Sequence, residues 1–236
     1  MTESMRLIKK LSLVACAPAL LFIVSAAKTD KAPQEMKTLM SERGKLLFSD
    51  DFAGDAVSKE WKSNLGKWEI VDGALKGTEL EKDHHPAVIR HVISYHNAVF
   101  QFSFRLDGAK AINLSLNNRD GHVCRVVINA TGFILKRDQP KKDSPEKAAV
   151  LDTVKTPIKP GQWYEMIVEV QGKQMLARID DSHIGYGKHD GIDVDKADFG
   201  LPMTGDSASY DNVRVWEALP KADWDESKLE SMRHGK

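Results

Sequence analysis

The sequence predicts an all-β fold, a sandwich of two antiparallel sheets, and two observations lead to this prediction. Apolar residues recur at every second position in several segments, which places one face of each strand in a core and the other in solvent. Turn-forming pairs that end in glycine separate these segments, as short hairpins require. The body of the chain shows no sustained 3.6-residue period of the kind that amphipathic helices have.

The clearest alternation lies in HNAVFQFSFRL (residues 96–106) and AINLSLNN (residues 111–118). In the first, Phe100, Phe102 and Phe104 alternate with Gln101, Ser103 and Arg105, so the phenylalanines are predicted to face the core. Further strands are predicted at residues 68–71, 74–76, 87–93, 122–129, 133–137, 163–171, 175–179, 183–186, 199–204 and 209–216.

Five turn signals separate these strands: Asp72-Gly73, Asp107-Gly108, Asp120-Gly121, Thr131-Gly132 and Gln171-Gly172. Each lies between two apolar runs, as expected for hairpins. The segment DQPKKDSPEKA (residues 138–148) is polar and contains two prolines, so it is predicted to be an exposed loop.

The N-terminus predicts export. Arg6, Lys9 and Lys10 precede an apolar run, and small residues follow at Ser25 and Ala26. This order is typical of a secretory signal peptide, here residues 1–27, and predicts a secreted, periplasmic or cell-envelope protein with no membrane span after cleavage. Two alternatives are an uncleaved N-terminal anchor and lipidation at Cys16.

The remaining chain is divided into a polar linker at residues 28–45, one domain at residues 46–218 and a charged tail at residues 219–236. After signal removal Cys124 is the single cysteine, so no intrachain disulfide is expected, and Cys124 is predicted to be a small buried side chain. Lys plus Arg and Asp plus Glu both number 34, and this balance argues against a nucleic-acid partner.

Three segments resemble the 3-keto-disaccharide hydrolase family, formerly a domain of unknown function. They are LLFSDDFAGDAVSKEWKSNLGKWEIVDGALKG (residues 46–77), AVFQFSFRLDGAKAINLSLNNRDGHVCRVVI (residues 98–128) and DFGLPMTGDSASYDNVRVWEA (residues 198–218). The resemblance implies a jelly-roll β-sandwich of the concanavalin-A-like lectin/glucanase kind, loosely related to family 16 glycoside hydrolases. It also implies a carbohydrate ligand or substrate.

The chain lacks the Glu-x-Asp-x-(x)-Glu strand of retaining glucanases on this fold. Glu165 and Glu169 share a strand face but are predicted to be solvated. The Gly-Asn-Ser-Gly stretch that many members of the resembled family carry is replaced by AKAI at residues 109–112, and Asn129 stands where an acid is expected. The motifs therefore leave catalysis open.

A polar sheet face is the predicted ligand site. If consecutive strands pair in order, amide, hydroxyl and guanidinium groups suited to sugar hydroxyls converge on one sheet. The predicted ligand-binding residues are Arg105, Asn113, Ser115, Asn117, Arg119 and Arg125. His122 and Asp120, at the connecting turn, are the catalytic candidates, because histidine can act as a general base near neutral pH. The alternative is an ordinary solvated sheet face.

Structural calcium is a further hypothesis. Sandwiches of the resembled kind often hold calcium between the first and last strands, where Asp51 and Asp211 would meet if those strands pair. No other cofactor is predicted. Of the five tryptophans, Trp61, Trp68, Trp163 and Trp216 are predicted to lie in the core, which leaves no aromatic platform for a sugar ring.

Three functions are compatible with these features. The first is an exported carbohydrate-active domain that acts on glycosides or 3-keto-glycosides. The second is a non-catalytic glycan-binding or cell-surface module, and the third a structural envelope protein. The missing carboxylate motif favours binding, whereas the family resemblance favours catalysis.

Overall fold

A computed structural model describes residues 35–234, and within them it confirms the predicted all-β sandwich. The strands in chain order are β1 (Ser41–Asp50), β2 (Trp61–Leu65), β3 (Lys67–Val71), β4 (Ala74–Thr78), β5 (Val88–Tyr95), β6 (Ala98–Leu106), β7 (Ala109–Asn118), β8 (Gly121–Asn129), β9 (Gly132–Arg137), β10 (Ala149–Lys155), β11 (Trp163–Gln171), β12 (Gln174–Arg178), β13 (Ile184–Lys188), β14 (Lys196–Gly200), β15 (Met203–Gly205) and β16 (Ser207–Pro220). A short helix, α1 (Lys228–His234), follows.

The strands form two antiparallel sheets of eight. Sheet A has the order β13-β12-β11-β6-β16-β4-β3, with β1 also paired to β16. Sheet B has the order β10-β9-β8-β7-β14-β5-β2, with β15 also paired to β7. The sequence prediction missed β1, β2 and β10, whose side chains do not alternate cleanly between buried and exposed.

The core lies between the two sheets, as the alternation predicts. Phe100, Phe102 and Phe104 from sheet A meet Leu114 and Leu116 from sheet B in one buried cluster. Cys124 is a free, buried thiol in the same cluster, and burial raises its pKa to about 12. The prediction that Cys124 packs as an inert apolar side chain is therefore supported.

The turn at Asp107-Gly108 corrects the predicted pairing. It does not close a hairpin, because β6 belongs to sheet A and β7 to sheet B. The Asp107 carboxylate accepts hydrogen bonds from Arg105 Nε at 2.6 Å and Ser209 Oγ at 2.5 Å, both on sheet A. A turn signal marks where a strand ends but does not say which strand the next one joins.

Regular structure begins inside the segment that was predicted to be a linker, residues 28–45. β1 starts at Ser41, and residues 35–41, here called the N-terminal strap, lie on the outer face of sheet A. The buried Glu169 carboxylate accepts backbone N–H bonds from Leu39, Met40 and Ser41 at 2.7, 2.9 and 2.6 Å. The prediction that Glu169 lies on a solvated face is therefore wrong: its exposed fraction is 0%.

Three more polar side chains hold the strap. Gln101 Oε1 accepts from Met36 N at 3.0 Å, Arg43 donates to the Met36 carbonyl at 2.6 Å, and Arg178 donates to the Lys37 carbonyl. These bonds satisfy backbone groups of a segment that has no strand partner over most of its length. Met36 also packs on Val99, Ile167 and Trp216.

The predicted charged tail also packs on the sandwich. Leu229 of α1 is buried with Met40, Leu176 and Ile184, and Trp224 lies beside this cluster. Among the other tryptophans, Trp61 is buried in the core and Trp68 packs against it, as predicted. Trp216 is buried too, but in the cluster with Val99 and Ile167 on the outer face of sheet A and not in the predicted core. The prediction is wrong for Trp163, which is 38% exposed beneath the Arg105 guanidinium.

The predicted signal segment and Cys16 lie outside the described residues. Within residues 35–234, no helix has the length and hydropathy needed to cross a bilayer.

Candidate functional site

A hydrogen-bonded polar cluster lies on the outer face of sheet B. Asn117 is at its centre and is 1% exposed. Its Nδ2 donates to Asp198 Oδ1 at 2.5 Å, while its Oδ1 accepts from Ser115 Oγ at 2.9 Å and lies 2.6 Å from His122 Nδ1. Side chains of β7, β8 and β14 therefore meet at one buried amide. We call Ser115, Asn117, His122 and Asp198 the Asn117 cluster.

The cluster assigns the histidine tautomer. Since Asn117 Nδ2 faces a carboxylate, Asn117 Oδ1 must face His122, and His122 Nδ1 must carry the proton. The Nε2 atom of His122 then keeps its lone pair. Asp198 thus orients Asn117, and Asn117 orients the imidazole, with Nε2 as the atom able to accept a proton.

Burial lowers the pKa of His122, and the Arg125 guanidinium lowers it further. Asp138 and Asp198 act in the opposite direction with smaller effect, whereas Arg90 also lowers it. His122 is consequently neutral near pH 7. Arg125 is itself held by the buried Asp138, whose Oδ2 accepts from Arg125 Nε at 2.8 Å.

The loop at residues 138–148 borders this face and is less free than its composition suggests. Asp138 N donates to the Val123 carbonyl at 2.9 Å at the start of the loop. Near its end, Glu146 Oε2 accepts from the buried Arg137 at 2.6 Å. Lys141 forms an exposed ion pair with Asp120 at 3.6 Å. Both ends of the loop are therefore fixed to sheet B.

A cleft of about 560 Å³ lies where β5 and β7 end and β14 begins. Its walls come from the turn after β5, the β7–β8 turn and the start of β14, and they include Ser94, His96, Asn118, Arg119, Asp120 and Asp195. Asn118 follows Asn117 at the end of β7, but successive strand residues face opposite sides, and the cleft lining contains no residue of the Asn117 cluster. The lining is mainly polar, which suits a ligand rich in hydroxyl groups.

His96 fixes one wall of this cleft. Its Nδ1 lies 2.7 Å from an Asp195 oxygen and its Nε2 lies 2.8 Å from an Asp193 oxygen. These contacts raise the pKa of His96. The buried Lys196 adds hydrogen bonds from Nζ to the carbonyls of His96 and Ile192 at 2.8 and 2.7 Å. The β5–β6 turn and the segment before β14 are thereby held together.

The structure brings together part of the predicted ligand site. Ser115, Asn117 and His122 are in mutual contact. Arg125 is the register partner of Ser115 on the same face, and Asn113 lies two residues from Ser115 along β7. Arg119 and Asp120 are exposed and line the cleft.

Arg105 does not belong to this site. It lies on the outer face of sheet A, where it binds Asp107 and covers Trp163 at 4.8 Å. The prediction that Arg105 converges with Asn117 and Arg125 is therefore wrong, because β6 and β7 belong to opposite sheets.

The residues predicted to hold calcium do not form a carboxylate cage. Asp51 is exposed and accepts from Ala53 N at 3.2 Å, whereas Asp211 is buried and accepts from Asn212 N at 2.8 Å. Among residues 35–234, no group of three or more His, Cys, Asp or Glu side chains is placed to hold a metal ion. Calcium at these two residues stays a prediction, and no step is derived through it.

The sequence reasoning missed Asp198, Asp138, Arg90 and His96. Asp198 alternates with the buried Phe199, so its outward direction could have been inferred. Its position beside Asn117, 81 residues away, depends on the pairing of β14 with β7, which no local pattern records.

Solved structures similar to this chain share its fold. A carbohydrate-binding module, CBM66 from Bacillus subtilis, aligns with a TM-score of 0.55 and 16% identity over 67% of this chain and 96% of its own. A protein of unknown function with a galectin-like fold from Bacillus subtilis aligns with a TM-score of 0.55 and 11% identity, over 77% of this chain and 100% of its own. A non-specific endo-β-1,3(4)-glucanase of family GH16 aligns with a TM-score of 0.56 and 12% identity, over 75% of this chain and 95% of its own.

The fold is the concanavalin-A-like, galectin-like jelly roll. Identities this low show the fold alone. Neither a protein-family profile nor a curated protein sequence matches the chain. Membership of the 3-keto-disaccharide hydrolase family therefore stays a prediction.

Proposed function

We propose that this protein is an exported carbohydrate-binding domain that holds a glycan on the outer face of sheet B. The observation that carries the proposal is the Asn117 cluster, an ordered set of amide, hydroxyl, imidazole and carboxylate groups. Groups of this kind, oriented before a ligand arrives, suit sugar hydroxyls. The similar folds of a carbohydrate-binding module and a glucanase add support. Export rests on the N-terminal sequence.

The sheet face favours binding over glucanase-type hydrolysis. A retaining glycosidase needs two carboxyl groups about 5 Å apart, one of them ready to donate a proton. Here Asp138 is engaged by Arg125 and Asp198 by Asn117. Both carboxylates therefore already serve to position other side chains.

A glycan array probed with the mature chain tests this function. We expect binding to at least one glycan class, and we expect His122→Ala to weaken it about tenfold or more, because His122 belongs to the Asn117 cluster and lies within electrostatic reach of Arg125. His85→Ala is the matched control, since His85 is exposed in a loop and contacts the Pro86 carbonyl next to it. Absence of binding to every glycan would leave the structural role.

Cleavage of 3-keto-glycosides is the second candidate, and the orientation of His122 favours it. The unprotonated Nε2 could accept the proton on the carbon next to the ketone. The electrons of that C–H bond would form a C=C bond while the glycosidic C–O bond breaks, and the leaving oxygen would then take a proton from water. Such a base typically contributes about 10²–10⁴-fold to a rate.

Release of an aglycone from a chromogenic 3-keto-glucoside measures this activity. The rate should rise with pH through the lowered pKa of His122, and His122→Gln should reduce it at least about 100-fold with little change in glycan binding. Binding without release would leave the binding function and contradict the catalytic one.

A further inference from the structure

A row of basic side chains crosses the outer face of sheet B beside the Asn117 cluster. The strand register places Arg90 of β5 opposite Gly200 of β14, Gly200 opposite Ser115, and Ser115 opposite Arg125. Arg125 is in turn opposite Lys136 of β9. Because register partners on adjacent strands face the same side, these five residues, the basic row, form one line across the sheet.

The two middle residues of the basic row have small or absent side chains, and a basic residue with a long side chain stands on either side of them. Gly200 has no side chain, and Ser115 is small and 1% exposed. Arg90 and Arg125 rise on either side, with backbones three strand spacings or about 14 Å apart. The result is a buried strip of sheet, here called the trough, with an arginine on each side of it.

Arg90 leans across this trough. A Cβ atom added to Gly200 would lie 3.2 Å from Arg90 Cγ, so the arginine side chain passes close over β14. Arg90 also lowers the pKa of His122, which places its charge within electrostatic reach of the cluster on β7 and β8. Gly200 therefore makes room for Arg90 to approach Ser115 and His122.

Two carboxylates beside the basic row offset part of its charge. Asp138 forms an ion pair with Arg125, and Asp198 accepts from the neutral Asn117 amide and keeps its negative charge. No hydrogen bond or ion pair within residues 35–234 engages the Arg90 side chain, which is half-buried. A half-buried guanidinium that is left without a partner favours an anionic group from outside, since planar N–H groups match carboxylate and sulfate oxygens.

We infer that the glycan held on sheet B is acidic, with the carboxylate of a uronic acid or a sulfate ester seated over Gly200 and Ser115 between Arg90 and Arg125. This inference rests on the proposed function and names its ligand class. The sugar hydroxyls next to the acidic group would meet His122 in the neighbouring line of the sheet, where His122 is the register partner of the buried Asn117 that orients it.

An array of paired glycans tests the inference, each neutral backbone printed beside its uronate form and its sulfated form. We expect the mature chain to bind one of the two acidic forms at least about tenfold more tightly than the neutral form at low ionic strength. This preference should fall as salt is raised. The two acidic forms tell a carboxylate site from a sulfate site.

Two variants at Arg90 separate the inference from the function. Arg90→Gln should remove the preference for the acidic form while neutral glycans bind unchanged, and Arg90→Glu should reverse it. Lys76→Gln is the control for net charge, because Lys76 is opposite Ser209 on sheet A. Equal binding of acidic and neutral forms, or an unchanged preference in Arg90→Gln, would overturn the inference and leave the proposed function standing. Failure of every glycan to bind would overturn both, and inorganic sulfate that competes as well as the sulfated glycan would show a bare anion site.

Discussion

Under the N-terminal strap, on the outer face of sheet A, polar side chains hold the protein's own backbone, whereas in the Asn117 cluster on the outer face of sheet B they hold one another. Gln101 and Glu169 of sheet A accept N–H bonds from the N-terminal strap. Asn117 of sheet B accepts from Ser115 and donates to Asp198. Both faces arise from the same alternation along the strands, and what differs is whether another segment covers them.

This difference separates structural polar groups from candidate binding groups. The strap covers Val99, Ile167 and Trp216, so sheet A carries an apolar outer patch that needs a cover. Sheet B carries Val92, which is 67% exposed, next to Asp198 in the register, and the half-buried Arg90 of its basic row has no hydrogen-bond or ion-pair partner within residues 35–234. A buried polar side chain therefore indicates function only after its partners are known.

The largest expected effect on stability follows from removal of the Glu169 carboxylate. Glu169→Leu keeps a similar volume but leaves three N–H groups without an acceptor, two of them buried and one partly buried, so the free energy of unfolding should fall by about 3–5 kcal/mol. Urea unfolding followed by circular dichroism measures it.

Glu165→Leu is the matched control on the same face of β11. The Glu165 carboxylate accepts one long bond from Gln101 at 3.4 Å, and a change below about 1 kcal/mol is expected. Similar losses in the two variants would show that the strap is not held by Glu169.

An intermediate effect is expected at the centre of the other face. Asn117→Ala removes the amide that joins β7 to β14 and orients His122, and it should cost about 1–3 kcal/mol of stability. Glycan binding should fall together with stability, whereas Glu169→Leu should leave binding intact in the molecules that remain folded. Calorimetric titration of both variants compares the two faces directly, and equal loss of binding would contradict the division of roles.

The smallest expected effect is a pH dependence of stability that distinguishes two histidines, His122 at the start of β8 and His96 in the turn after β5. Burial lowers the pKa of His122, so its contribution to stability is present above the unfolded pKa of about 6.5 and is lost as pH falls through the folded value. Hydrogen bonds to Asp195 and Asp193 raise the pKa of His96, so its contribution is present below the unfolded pKa and is lost as pH rises through the folded value.

Nuclear magnetic resonance of the imidazole C–H groups measures both titrations. His122 should titrate below about pH 6.5 and His96 above it. His96→Gln and His122→Gln assign the two signals. A reversed order would contradict the burial of His122 beside Arg125 and the ion pairs of His96 that fix the cleft wall.

Much of this protein could be predicted from local sequence because the signals are local. Alternation in residues 98–106 and 111–118 specified which side chains enter the core, and Asp72-Gly73 ends one strand and begins the next with positive φ at both residues, 51° and 68°. Ser115, Asn117 and His122 could be selected because they lie on outward positions of two strands joined by a tight turn.

The tertiary structure decided the rest, because strand pairing is non-local. Arg105 and Asn113 are eight positions apart in sequence but lie on opposite sheets, whereas Asn117 and Asp198 are 81 apart and in contact. The period of two determines which face a side chain takes but not which sheet its strand joins. Whether Glu169 is buried depends on where the N-terminal strap packs. The alignment of the basic row depends on the register of five strands.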